Sequence, residues 1–265
     1  VTPPLWHWTA FLDRTPHRHL GDEGHPRSGG FIEHPPYPRR MFAGGRLRVH
    51  TPVPIDRELT RQTQVSDVVR KDGRQGPLAF VTVTHTYLHD GESVVEEAQD
   101  LVYRPDPDER QSRRPTVDMP VSPPARSASV GATESGSTPA ILRRCRVFDE
   151  RQLFRFSALT FNAHRIHYDA PYARDIEGYP GLVVHGPLLI ICLLELVREV
   201  VGDDAVAAVE FRALAPAFVH QNIELVAFQG QTTTDVRLLA RRGDEKLMQA
   251  NVELRDPVDQ ISSRS

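Results

Sequence analysis

The sequence predicts an α+β fold in which antiparallel strands wrap around one buried helix, with the strand unit occurring twice. Three observations carry this expectation. Residues 187–202, PLLIICLLELVREVVG, have helix length and helix end signals. Alternating segments such as VTVTHTY (81–87) read as half-buried strands next to glycine turns. The landmarks of the first half recur in order in the second.

In the first half, Arg48, Pro52 and Ile55 precede a strand around 80–88, a turn at Asp90-Gly91 and a last strand through 102–104. Asp-Gly between alternating runs is a hairpin signal. In the second half, Arg212, Pro216 and Val219 keep the same spacing. A strand around 235–240, a turn at Arg242-Gly243 and a strand ending at 252–255 follow. The helix at 187–202 starts with Pro187, whose missing N–H costs little in a first turn, and stops at Gly202. Its apolar residues run nearly all round, so it should be deeply buried. The first half has no equally clear helix. Loss with a missing N-terminus (the chain starts at Val1, not methionine) and degradation are both open.

Residues 105–140 are rich in Pro, Ser, Gly and charge and nearly lack large apolar side chains. Such a segment cannot offset its ordering entropy by burial and reads as a linker. The expected organisation is therefore 1–104 as the first unit, 105–140 as linker, 141–256 as the second unit and 257–265 as a tail.

Composition narrows the function classes. The chain has 265 residues, 39% hydrophobic and 25% charged, with a net charge of −3. Its isoelectric point near 6.5 does not favour nucleic acid or an anionic membrane as partner. The stretch 188–201 is interrupted by Glu195, Arg198 and Glu199 and is too short to span a bilayer. Two cysteines, Cys145 and Cys192, form no disulfide or CxxC pattern, which favours a reducing, cytoplasmic setting.

The chemistry concentrates in 156–188, FSALTFNAHRIHYDAPYARDIEGYPGLVVHGPL. His164, His167, Asp169 and His185 stand there beside Gly178, Pro180, Gly181 and Gly186, just before the apolar helix. Acid–base residues next to a helix start suit proton transfer beside a developing oxyanion. His-x2-His without Cys or an acidic cluster is a weak zinc signal, and no metal is expected. No GxSxG nucleophile motif occurs.

FSALTFNAHRIHYD followed by EGYPGLVVHGPL resembles the motif of the MaoC-like hydratases and dehydratases. The likeness is closest to the branch of hydroxyacyl-thioester dehydratase type 2 and the mesaconyl-C4-CoA and itaconyl-CoA hydratases. PPLWHW, GHP, RRMFAGG and KDGRQGPLAFV resemble that branch's N-terminal domain. The resemblance implies a double hotdog: two fused units whose antiparallel sheet wraps a central helix. It further implies reversible addition of water across the α,β double bond of an enoyl thioester, with one active site in the second half.

In that family an Asp and a His five positions apart handle the water. The His falls on His167. The Asp falls on Asn162, a departure. Asn is no general base, but its amide can accept a hydrogen bond from water or donate one. Proton transfer then rests on His167. Asp169 is expected to orient His167, and the backbone N–H of Gly186 to polarise the thioester carbonyl. His164, Arg165, His185, Gly181 and Arg212 are candidate substrate contacts, His164 as polar support and His185 as a residue fixing the turn. Arg174, Arg39 and Arg40 join Arg165 and Arg212 as candidates for the CoA phosphates. Trp6, Trp8, Tyr37 and Phe42 are read as core before pocket.

The implied partner is a small acyl-CoA, with no cofactor beyond the CoA of the substrate. The assembly is expected to be a monomeric double hotdog or a homodimer. The favoured substrates are itaconyl-CoA and mesaconyl-C4-CoA, giving citramalyl-CoA in itaconate catabolism. Dehydration of 3-hydroxyacyl thioesters in fatty-acid metabolism, non-catalytic thioester binding and thioester hydrolysis stay open as alternatives.

Overall fold

The computed structural model describes residues 1–27, 32, 37–73, 76–105, 139–202 and 204–256. Most of the expected linker and the expected tail lie outside these residues. The strands are β1 (Arg39–Val49), β2 (Thr60–Gly73), β3 (Gly76–His89), β4 (Glu92–Arg104), β5 (Ala140–Arg146), β6 (Val206–Ala213), β7 (Ile223–Gln229), β8 (Asp235–Arg242) and β9 (Glu245–Leu254). The helices are α1 (Glu150–Thr160) and α2 (Gly186–Val201).

All strands belong to one 9-stranded antiparallel sheet, ordered β2-β3-β4-β1-β6-β9-β8-β7-β5. Each half of the chain contributes a contiguous set, and β1–β6 is the join. The register at the join carries the repeat: Arg48 pairs with Ala208 and Arg212 pairs with Gly44. The two repeat-related arginines thus sit on either side of a pseudo-two-fold. The hairpin turns fall at Asp90-Gly91 and Gly243, each of these with positive φ.

The sheet of the second half curls around α2, which packs against β7, β8, β9 and β1. Leu189, Ile190, Leu193, Leu194, Leu196, Val197 and Val201 are buried on it. Burying each aliphatic side chain of this size contributes about 1.5–3 kcal/mol. Cys192 packs against the same core, and burial pushes its thiol up to about 11. Among the described residues, no helix is long and apolar enough to cross a membrane.

The helix α1 was not legible in the sequence, because exposed Phe154 and Leu159 blur its apolar period. Its start is a capping box: the Asp149 carboxylate accepts from the Gln152 amide and the Gln152 side chain accepts from Asp149 N–H. In the first half the described residues contain no counterpart to α2. Short 3₁₀ turns, Trp6–Thr9 and His17–His19, stand before β1. Leu5, Trp8 and Phe11 pack into the main core beside Tyr87, so this segment of short turns covers part of the sheet. Room remains between the halves beside this segment.

Candidate active site

The room is a cleft of about 840 Å³ lined by both halves of the chain. This lies within the range usual for small-molecule sites. Asn162, His164, His167, Val184 and Gly186 line it from the second half; Trp8, His25, Arg40, Phe42, His85 and Gln99 line it from the first.

Local structure places the histidines. The helix α1 ends at Phe161, whose φ of 53° turns the chain sharply. Asn162 follows, and its Oδ1 accepts from the His164 N–H at 3.0 Å. This bond orients the amide so that its NH₂ end remains to donate. A 3₁₀ turn, Arg165–His167, then brings His167 inward. The chain returns along 177–185, where Val183 N–H donates to Ile166 O at 3.0 Å and Val184 N–H to Ala217 O at 2.8 Å.

The Val183 carbonyl, held in this way, accepts from His167 Nδ1 at 2.7 Å. A carbonyl only accepts, so Nδ1 carries the proton and Nε2 keeps its lone pair. Burial lowers the pKa of His167 to about 4, with the Val183 bond acting in the other direction. The ring is therefore a neutral base at neutral pH. His185, fully buried, stacks on it at 3.6 Å between centroids with an 18° interplanar angle. Its Nε2 meets Ser157 Oγ at 2.9 Å, and its buried Nδ1 has no hydrogen-bond partner among the described residues. Burial, then the charges His167 and His164 would carry, hold His185 well below its usual pKa. Next to His185, Gly186 opens α2, where first-turn amides lack acceptors within the helix. A Cβ on Gly186 would lie 3.1 Å from Phe42 Cδ1, so the backbone there approaches the cleft closely.

A lone-pair-bearing histidine, an amide and a helix-start backbone N–H thus share one cleft. The sequence model of the hydroxyacyl-thioester dehydratase type 2 family matches residues 5–219. The chain belongs to that family. Relatives include a mesaconyl-C(4)-CoA hydratase of Chloroflexus aurantiacus, 44% identical over 92% of this chain and 76% of its own. The mitochondrial hydroxyacyl-thioester dehydratase type 2 of Schizosaccharomyces pombe is 26% identical over 84% of this chain and 76% of its own. Among solved structures, a MaoC-like dehydratase matches with a TM-score of 0.68 at 18% identity, covering 96% of this chain and 83% of that one, which shows the hotdog fold. The protein is an enzyme of the hydratase/dehydratase class.

Several side chains of this dehydratase-family protein stand away from their expected roles. Asp169 does not orient His167. Its Oδ2 accepts from Arg165 Nη2 at 2.7 Å and its Oδ1 from the Tyr172 N–H at 3.1 Å. The Val183 carbonyl, on the return segment, takes the orienting role instead, while Asp169 is engaged by Arg165 and Tyr172. Arg165 is spent on Asp169, on the Asp22 carbonyl at 3.0 Å and on the Tyr172 ring, and does not line the cleft. Gly181 does not line it either.

Arg212 alternates with Phe211 and Ala213, which face the core and the cleft, so it projects from the other side of the sheet. Arg174 is exposed and paired with Asp175, and Arg39 with buried Glu177 at 2.9 Å. Of the five arginines considered, Arg40 lines the cleft. Trp8 and Phe42 line the cleft as well as packing on the core, whereas Trp6 is exposed and Tyr37 packs on a satellite cluster.

The first half supplies a wall that residue types alone did not flag. Gly24 (φ +97°) presses on Ala163, and a Cβ there would overlap the Ala163 carbonyl oxygen. Glu23 O accepts from Arg165 N–H at 2.8 Å. His25 packs on His164 at 4.3 Å between centroids. The GHP motif marked this segment; its contact with the second half is tertiary. Gly24→Ala is expected to combine left-handed strain with a backbone clash. Urea unfolding should show a loss of about 2 kcal/mol or more, with kcat/KM reduced through displacement of 162–164. An unchanged kcat/KM would mean that this contact does not position the histidines.

Proposed function

We propose that this enzyme hydrates a CoA thioester whose hydroxyl-accepting carbon carries a carboxylate, converting mesaconyl-C4-CoA or itaconyl-CoA to citramalyl-CoA in itaconate catabolism. The observation that carries the chemistry is the tautomer of His167: Nδ1–H is held by Val183, which leaves Nε2 as the proton acceptor. Water donates to Nε2 and accepts from the Asn162 amide. Its oxygen adds to the β-carbon of the enoyl thioester, and Nε2 takes the proton. The enolate oxygen is held by the Gly186 N–H, helped by the positive end of α2. Nε2–H then protonates the α-carbon, which restores the neutral ring. This is the course for mesaconyl-C4-CoA. Itaconyl-CoA, whose double bond is β,γ to the thioester, enters it only after losing an α-proton and gaining one at the γ-carbon to become mesaconyl-C4-CoA. Atoms and charge balance without a cofactor.

The identity of 44% to a mesaconyl-C(4)-CoA hydratase favours the carboxylated C5 substrates over fatty acyl chains. The test is turnover of mesaconyl-C4-CoA, itaconyl-CoA and crotonyl-CoA, with loss of the double bond followed and products identified. Preference for the C5 substrates is expected. Faster crotonyl-CoA hydration would assign the enzyme to 3-hydroxyacyl dehydration. Asn162 in the family's Asp position motivates a second reading, thioester binding without chemistry; binding with no turnover of any substrate would establish it. Release of free CoA thiol would identify a thioesterase.

A further inference from the structure

Arg40 is a cleft-lining cation with no counter-ion. Its Nη2 donates to His25 Nδ1 at 2.8 Å, and no carboxylate among the described residues pairs with it. The contrast with its neighbour is direct: Arg39 and Arg104 share buried Glu177. A guanidinium in a concave, partly desolvated wall loses hydration, which an anion of the ligand would offset. It has five N–H donors in a fork that matches a carboxylate, and His25 uses one direction of that fork.

Position adds to this. Arg40 touches His25, His25 packs on His164 at 4.3 Å, and His164 meets His167 edge-on at 5.4 Å. Arg40 therefore belongs to the histidine corner of the cleft. Arg61, also in the lining, belongs to the Phe11–Tyr87 corner, over the Phe11 ring at 5.1 Å. His25 can act as an acceptor for Arg40 because it is neutral: burial first, then the Arg40 charge, keeps its pKa well below the usual value. In citramalyl-CoA the carboxylate is one bond from the carbon that receives the hydroxyl. Its counter-ion must then stand in the corner where the water is activated, not at the far end of the acyl group.

We infer that Arg40, steered by His25, is the specificity-determining residue that holds the carboxylate on the β-carbon of the substrate. This rests on the substrate reading above for its biological meaning but not for its test. Succinyl-CoA has a carboxylate on its β-carbon and no double bond to hydrate. Butyryl-CoA has a methyl group in that place.

Dissociation constants for both would be measured with the full chain, with Arg40→Met and with Arg40→Lys, each checked for a native unfolding transition. The parent should bind succinyl-CoA about tenfold or more tighter than butyryl-CoA, the size expected for a charge-assisted hydrogen bond. In Arg40→Met the ratio should fall to near one, and Arg40→Lys should retain part of it. A parent ratio near one, an unchanged ratio in Arg40→Met, or equal weakening of both ligands would overturn the assignment. If the ratio behaves as expected while mesaconyl-C4-CoA is not turned over, the substrate reading falls and the carboxylate site stands.

Discussion

Replacing His167 by alanine is expected to lower kcat/KM for hydration by about 10²–10⁴-fold, the usual contribution of a positioned acid–base group. The loss should fall on kcat more than on KM, because His167 is assigned to the water and the α-proton rather than to binding. The pH profile of the parent offers an independent reading of the same residue. Burial lowers the ring's pKa to about 4, with the Val183 hydrogen bond opposing. The neutral base therefore persists through mildly acidic solution, and kcat/KM should stay level there. It should fall only as pH drops through about 4, where the ring takes up a proton at Nε2. An exposed histidine would give that limb near its ordinary value of about 6.5. An acid limb near that value that disappears in a variant of another residue would assign the base elsewhere.

The second large effect is on stability. Glu97 is 3% exposed, yet it is surrounded by donors. His7 Nε2 meets Oε2 at 2.9 Å, Tyr87 OH donates to Oε2 at 3.0 Å, and Trp8 Nε1 and Gln99 Nε2 each donate to Oε1 at 2.7 Å. Burial raises the carboxyl's pKa. The hydrogen bond and charge of His7, with Gln99 and His85, outweigh it and hold the group at about 2. It is a buried anion satisfied on both oxygens.

Glu97→Ala would strand these donors in the core and leave a cavity. The expected cost is about 3–5 kcal/mol by urea unfolding. Trp8, Tyr87 and Gln99 also line the cleft, so KM should rise in whatever fraction stays folded. A cost under about 1 kcal/mol, typical of an exposed pair, would mean that water reaches the network.

The network also ties down the first half, whose described residues contain no central helix. The segment around Trp6–Thr9 is tied to β4 by charge-assisted hydrogen bonds to Glu97, which Tyr87 of β3 also meets, where the second half uses the apolar bulk of α2.

The legible and illegible parts divide by range of interaction. The helix at 187–202 was read within one residue at each end of Gly186–Val201, because Pro187, Gly202 and the apolar run act locally. The hairpins at Asp90-Gly91 and Gly243 were read from turn chemistry. The repeat of Arg48 at Arg212 proved a statement about register, with both residues at the β1–β6 join. The same pairing explains why Arg212 fails as a substrate contact: strand alternation decides its face, and spacing between landmarks does not report it. Asp169 misled for a similar reason. It is two positions from His167 in sequence, but it lies between the 3₁₀ turn Arg165–His167 and a π turn, Tyr172–Ile176, where its carboxylate meets Arg165 and the Tyr172 N–H.

By itself the sequence determined the residue types proposed for the chemistry: His167, Asn162 and Gly186 in one short motif, a buried helix behind them, and a first unit lacking that motif. Such features depend on neighbours within a few turns of chain. Tertiary structure decided which nitrogen of His167 is free, through a carbonyl 16 residues away. It decided that His185 stacks on that ring, that Gly24 props the Ala163 loop, and that Arg40 rather than Arg165 or Arg212 lines the cleft beside the histidines. Each of these is a contact between segments brought together by strand register and packing. Their directions are properties of the assembled sheet.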